Sequence, residues 1–323
     1  MSIRLHRRVP FASLALACLA GVATASAQPD ETAGMITEIK VGRGTVEMKT
    51  ADGDWRRAAP LSALRAGDEV RAAGDASAVV LLTGGRGTVL VRAKNSPYAV
   101  GAPRAKDSTA QRVRSLLSSS LGFLAAGPKE PPTALTSSRG GNGTGEILTP
   151  RNGMILPDSL VFEWLGSQFS RYRVRIVDSS TVSLERKGVV GARLTYPADA
   201  SRLQAGVRYQ LQVEASGSKP AEAWFEIVNE ARAVEIRENL KQLEASLGRR
   251  VSPSSRAAVR AGALASDELF HDARLVVLAA LAKDPDEPSL HMLLANIYLK
   301  TGLPRLAAQS LHEAQFLLSR DRK

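Results

Sequence analysis

Hydrophobic periodicity divides the chain into two β regions and a helical end. Between residues 35 and 91, and again between 161 and 227, apolar residues alternate with polar ones or form short runs bounded by Gly and Asp, which predicts β-strands. From residue 230 the apolar spacing changes to three and four residues, the period of an amphipathic helix. The helices predicted from that point are 230–247, 254–266, 269–283, 288–301 and 304–319.

The strands of the first β region are short and closely spaced. They are predicted at 35–39, 44–48, 69–71, 78–82 and 88–91, with turns rich in Gly and Asp between them. The order of these elements resembles the FecR-type periplasmic domain, and the stretch Leu64–Arg71 carries the most specific part of the similarity. The resemblance implies a periplasmic β domain over residues 31–101. The turn at 84–86 departs from the Asp-Gly-Ser usual in that family, so no ligand contact through an aspartate is implied there.

A helix and a linker are predicted between the two β regions, over 102–146. Apolar residues at three-and-four spacing predict an amphipathic helix at 108–126. We expect it to pack against the β region before it, since it has few cations for the alternative, a membrane surface. The Pro-, Ser- and Gly-rich residues 128–145 cannot bury enough apolar area to order themselves and predict a flexible linker.

The second β region, 147–229, shows the cleaner alternation. Its strands are predicted at 161–164, 172–176, 209–213 and 223–227, each with one apolar face. The segment Leu203–Tyr209 resembles the bend before a late strand of fibronectin type III and immunoglobulin-like sandwiches, where a tyrosine hydroxyl is hydrogen-bonded to the backbone upstream. The resemblance implies a β-sandwich, and we expect Trp164 and Trp224 to fill the core between its sheets.

Near the C-terminus the sequence repeats at a spacing of 34 residues. Ala261, Leu264, Ala273 and Val277 recur as Ala295, Tyr298, Ala307 and Leu311. A 34-residue period with small residues where two helices cross resembles the pattern of tetratricopeptide repeats, which are stacked α-hairpins. The second copy matches the pattern closely, and the first departs from it at Arg260 and Glu268. The resemblance implies that 230–323 is a helical array that binds a polypeptide, with 230–247 as a joining or capping helix.

Tetratricopeptide proteins contact their ligands through the first helix of each hairpin. The positions of the second repeat that match these contacts are Asn296, Leu299 and Lys300, and the resemblance therefore implies a partner-binding groove there. We expect the Asn296 side chain to hydrogen-bond the backbone of an extended peptide. The alternative is an exposed polar residue with no special role.

The N-terminus predicts export from the cytoplasm. Three arginines precede the apolar stretch 11–23, which is too short to span a bilayer comfortably, and the small residues 25–27 fit a cleavage site. We therefore predict a signal peptide at 1–27 and a periplasmic mature protein without a spanning helix, exported by either the Sec or the Tat route. Cys18, the only cysteine, is a weaker candidate for a lipid anchor, and the mature chain can form no disulfide.

Charge adds one candidate surface. The net charge of +11 favours anionic partners, but no basic run interleaved with aromatic residues indicates nucleic-acid binding. Arg171, Arg173 and Arg175 alternate along one predicted strand and should lie on the same face. This stripe would fit an acidic partner or an anionic envelope polymer. Alternatively, its like charges discourage pairing at a sheet edge.

No residue pattern indicates an enzyme. The mature chain has three histidines, at 271, 291 and 312, without the partners of a metal-binding motif, and no nucleophile has a recognisable triad context. We predict no catalytic residue, metal or cofactor. The sequence predicts a non-enzymatic periplasmic scaffold that binds envelope proteins. Two alternatives stay open: a FecR-type signal-relay or sensor component, and a protein that binds peptidoglycan or another anionic polymer.

Overall fold

The structure, a computed structural model, describes residues 32–84, 86–102, 108–128, 146–158, 160–179, 181–248 and 251–320. In these ranges β-strands come first and all but one of the helices come last, so the fold is mixed, β then α. The predicted signal peptide, Cys18 and residues 129–145 of the predicted linker lie outside the described residues.

The first β region consists of two antiparallel sheets. Its described strands are β1 (Thr32–Lys40), β2 (Thr45–Lys49), β3 (Arg56–Arg57), β4 (Ser62–Arg65), β5 (Glu69–Ala73), β6 (Ser77–Leu82), β7 (Thr88–Arg92) and β8 (Tyr98–Ala99). Their orders are β4-β1-β6-β7 and β3-β2-β5-β8. The apolar residues Ile36, Val70 and Val80 are fully buried in one core that draws on both sheets. All five predicted strands of this region are confirmed.

The second β region also has two sheets. Its described strands are β9 (Ile147–Thr149), β10 (Gly153–Ile155), β11 (Val161–Trp164), β12 (Arg171–Val177), β13 (Val182–Val190), β14 (Arg193–Thr195), β15 (Arg208–Ala215) and β16 (Ala221–Ile227). Their orders are β10-β16-β15-β12-β13 and β14-β11-β9. The Gln204 N–H donates to the Tyr209 hydroxyl at 2.8 Å, which confirms the predicted bond between this tyrosine and the upstream backbone.

The two tryptophans of this region have different surroundings. Trp164 is buried as predicted, with its ring edge-on to Tyr172 at 5.4 Å between centroids. The prediction for Trp224 was wrong. Its two neighbours in β16 point into the core, so strand alternation turns Trp224 to the outer face, where the Arg208 guanidinium lies 4.2 Å from the ring centroid.

Six helices lie in the described residues, close to the predicted positions. They are α1 (Ser108–Ala125), α2 (Glu230–Ser246), α3 (Pro253–Ser266), α4 (Phe270–Leu281), α5 (Pro288–Lys300) and α6 (Pro304–Arg320). Proline at the first position suits a helix start because its φ is preset and its missing N–H would have no partner there. None of these described helices is both long and apolar enough to cross a membrane.

The C-terminal helices pair as α3 with α4 and α5 with α6. The alanines predicted at the crossings are fully buried, namely Ala261, Ala273, Ala295 and Ala307. The two turns share a left-handed residue at the same place in the repeat, Glu268 with φ 61° and Gly302 with φ 79°. The 34-residue sequence repeat therefore corresponds to a repeat of α-hairpin geometry.

Helix α1 joins the first β region to the helical end. Its buried leucines, Leu117, Leu121 and Leu124, belong to one core together with Met35 of β1 and residues of α2 to α5. Its largest contact is with α3, and it touches β1 and β4 less extensively. The prediction that it packs on the preceding β region was therefore incomplete, because periodicity identifies an apolar face without naming what covers it.

The second β region is attached to the hairpin α3–α4 by polar contacts. The Arg274 guanidinium donates to the Glu163 carboxylate at 2.7 Å, and this ion pair is largely buried. The Met154 N–H donates to the Glu268 carbonyl at 3.0 Å. These contacts hold the second β region against the hairpin α3–α4.

Candidate functional site

The residues predicted to form the groove lie on α5 and differ in exposure. The helix begins at Pro288, immediately after the N-cap residue Glu287. Asn296 is only 3% exposed. Leu299 is half-buried and Lys300 is exposed. Of the three predicted residues, therefore, only Lys300 is freely accessible to solvent.

The buried Asn296 is hydrogen-bonded to a distant part of the chain. Its Nδ2 donates to the Phe123 carbonyl at 2.8 Å. Phe123 is in the last turn of α1, where backbone carbonyls lack the N–H partner that a longer helix would provide. In a continued helix the Gly127 N–H, four residues later, would donate to the Phe123 carbonyl. It donates to the Leu124 carbonyl instead, at 3.5 Å. Asn296 therefore caps the C-terminal end of α1.

Helix α1 also makes close contact with α3. A Cβ built on Gly262 would lie 2.6 Å from Ser120 Oγ and 3.0 Å from the Ser120 carbonyl oxygen, so only glycine fits at this point. The Ser120 hydroxyl is fully buried and donates to the Val259 carbonyl at 2.7 Å. The groove thus holds α1 by contacts to main-chain atoms on both sides of the interface.

Apolar contact supplies the remaining attraction. Burial of the α1 residues Leu117, Leu121 and Leu124 stabilises the docked helix by about 1.5–3 kcal/mol for each side chain. The ring of Phe123 lies beside that of Phe270 on α4, with 6.3 Å between centroids. The surface that the repeat predicts for a partner is therefore filled, in this structure, by an amphipathic helix of the same chain.

One buried hydroxyl of α1 is not matched by a hydrogen-bond partner in the described residues. Ser118 Oγ is buried, yet in the described part of the chain it has no hydrogen-bond partner. A buried hydroxyl without a partner costs about 1–3 kcal/mol, because the hydrogen bonds to water that it loses are not replaced.

Only one side of this site could be predicted from the sequence. Asn296 was predicted to bind the backbone of an extended peptide, whereas the segment that it binds is helical. Gly262 and Ser120 were not predicted. The glycine inside the helical pattern of α3 was the available signal, since such a residue often marks close approach of another backbone.

The arginine stripe lies on the outer face of the second β region. Its strand, β12, pairs with β13 on one side and β15 on the other, so the alternative that the stripe protects a sheet edge was wrong. The Arg173 guanidinium donates to the Glu185 carboxylate at 2.6 Å, and this hydrogen bond is the main reason that the pKa of Glu185 is lowered. Glu185 is also the partner of Arg175 in register across the strands.

The positive charge of the stripe is therefore shared with carboxylates. Besides Glu185, the stripe faces Glu214 of β15, which is opposite Arg173. Arg171 is exposed and lies opposite Val190 of the edge strand β13. The face is a mixed ladder of charges, which suits a solvated sheet and weakens the case for a purely anionic partner.

A cluster of carboxylates lies beside the hairpin α3–α4. Glu287 is 8% exposed, and burial raises its pKa to about 7, against the lowering effect of hydrogen bonds from Ser289 and with a smaller rise from the nearby Glu38 and Asp284. Glu38 of β1 accepts hydrogen bonds from the hydroxyls of two serines in or next to α3. The three carboxylates line an open groove of about 600 Å³.

A second buried acid lies where the second β region contacts α4. Burial raises the pKa of Asp272 to about 6, although the carboxylate accepts a hydrogen bond from the Leu156 N–H. Across the residues that the structure describes, no group of three or more His, Cys, Asp or Glu side chains is arranged to hold a metal ion. The raised pKa values of Glu287 and Asp272 make the stability of the fold depend on pH.

Comparison with known proteins gives no family for this chain. No family model matches it, and no curated protein matches it.

Proposed function

We propose that this protein is a non-enzymatic scaffold of the bacterial periplasm that holds other envelope proteins through the groove of α3 and α5. One observation carries the proposal: Asn296 binds a backbone carbonyl of a helix that crosses this surface. A side chain that recognises main chain, beside an apolar surface, can hold a polypeptide without requiring one particular side-chain sequence.

Three further features support the proposal. The paired helices have the 34-residue repeat typical of arrays that bind polypeptides. The predicted signal peptide supports export. The mixed charges around the arginine stripe favour a protein partner over an anionic polymer.

The proposal is tested by photo-crosslinking in intact cells. A photoreactive amino acid replaces Lys300, which is exposed one helical turn beyond Asn296 on α5. The control position is Lys219, which is exposed in the turn between β15 and β16. We expect adducts with one or a few envelope proteins at Lys300 and not at Lys219. Failure of both positions to capture a protein, or capture of the same set by both, would contradict the proposal.

A further inference from the structure

We infer that α1 is an exchangeable occupant of the groove. The partner is an amphipathic helix that takes the place of α1 in the same register, with its C-terminal end capped by Asn296. The inference rests on the proposed function, because it names the partner class of the same site. Three contacts define the register: the apolar face that carries Leu121, the small side chain opposite Gly262, and the carbonyl bound by Asn296.

The bond to Asn296 selects the end of a helix. In a helix that continued past this point, the carbonyl at the position of Phe123 would be bonded to the N–H four residues later. In α1 that bond is absent, and the side-chain amide of Asn296 takes its place. The groove therefore favours a helix that stops here over one that runs through.

The contact with Gly262 restricts side-chain size. Because Ser120 Oγ and the Ser120 carbonyl already lie within the space of a missing Cβ, the facing residue must be small. The buried Ser120 hydroxyl also donates to the Val259 carbonyl, which gives this hydroxyl a partner. A partner helix therefore has Ser at this position, with an aromatic residue three positions later whose ring meets Phe270.

The sequence of α1 makes it a replaceable ligand. The buried hydroxyl of Ser118 gains no hydrogen bond in the described part of the chain. Gly122 is exposed in mid-helix, and a Cβ built on it would meet no atom within 4 Å, so nothing in the fold requires a glycine there. Both residues lower helix propensity relative to alanine, and among the described residues the Ser118 side chain gains no hydrogen bond in return. A helix with alanine at both positions would fit the same groove better.

The test uses the full mature chain and labelled synthetic peptides with the sequence of residues 108–127. One peptide is unmodified, one has Ser118→Ala with Gly122→Ala, and one has Leu121→Glu as a matched control that cannot bury its apolar face. We expect the doubly substituted peptide to bind at least tenfold more tightly than the unmodified one, and the Leu121→Glu peptide not to bind.

A second arm places Ser118→Ala with Gly122→Ala in the chain itself. The variant should fold normally, because one substitution removes a hydroxyl that has no partner among the described residues and the other adds a methyl group in open space. The tighter internal helix should weaken binding of the same peptide by roughly tenfold. Amide hydrogen exchange in the unmodified chain should show α1 opening faster than α3 and α5.

The outcomes separate this inference from the proposed function. If α1 amides exchange no faster than those of α5 and no peptide binds, α1 is a permanent part of the core and the inference is overturned. Crosslinks at Lys300 without peptide binding would leave a scaffold whose partner is not a helix in this register. Peptide binding without crosslinks in cells would support an exchangeable groove and count against the scaffold function.

Discussion

The buried Glu287 should make the protein less stable as the pH rises towards neutral. Its pKa is about 7 in the folded chain, against an ordinary value of 4.5. The folded state therefore binds this proton more tightly than the unfolded state does, and folding is favoured in acid. As pH rises from about 4.5 to about 7 the unfolded chain loses the proton first, and stability falls by about 3 kcal/mol.

Substitution Glu287→Gln isolates this effect. Glutamine keeps the side-chain oxygen that accepts the Ser289 N–H at the start of α5, but it carries no charge. At about pH 8.5 the variant should be more stable than the unmodified chain by up to about 3 kcal/mol, and near pH 4 the two should be similar. Asp272 is present in both proteins, so its own raised pKa largely cancels from the difference.

Urea unfolding followed by far-ultraviolet circular dichroism at several pH values measures this difference. The control is Glu287→Ala, which removes the cap as well as the charge and should be about 1 kcal/mol less stable than Glu287→Gln at each pH. If the unfolding free energies of Glu287→Gln and the unmodified chain stay parallel from acid to alkaline pH, the pKa of Glu287 is not raised in the folded chain.

Two further substitutions test backbone and helix contacts. Glu268→Gly should raise the unfolding free energy by up to about 1 kcal/mol. Glu268 has a left-handed backbone conformation like that of Gly302, and relief of its strain exceeds the entropy cost of glycine. A lower melting temperature of this variant would contradict the prediction. Gly262→Ala should push α1 away from α3, because the new Cβ would meet Ser120, and should speed hydrogen exchange in α1 while leaving the helical content of α3 to α6 unchanged. Gly122→Ala should slow hydrogen exchange in α1. Equal exchange in both variants would count against the close contact between Gly262 and Ser120.

The helical end could be predicted closely from sequence because its determinants are local. The apolar period, the prolines at positions 253, 288 and 304, and the Gly302 turn each act within a few residues of the structure that they specify. Nine of the described strands were predicted for the same reason, whereas β3, β4, β8, β9, β10, β13 and β14 were not predicted. Trp224 was misplaced because the prediction followed its apolar character rather than its parity with Phe225, the next residue in β16.

The candidate site was predicted only in part. Asn296 was identified through its place in the repeat, but its partner Phe123 lies in a separate helix far away along the chain. The raised pKa of Glu287 likewise depends on burial beside Glu38 of β1. Such effects depend on which surfaces meet, and one sequence does not specify those pairings.

The sequence by itself determined the six described α-helices, nine of the described strands, the hairpin repeat and the apolar faces, since these follow from propensity and periodicity along the chain. Only the tertiary structure decided that α1 covers α3 and α5, that Gly262 meets Ser120, and that the buried Ser118 hydroxyl has no hydrogen-bond partner among the described residues. The physical reason is that hydrophobic burial drives an apolar face towards any apolar surface, whereas shape and hydrogen bonds between distant segments select the one that it covers.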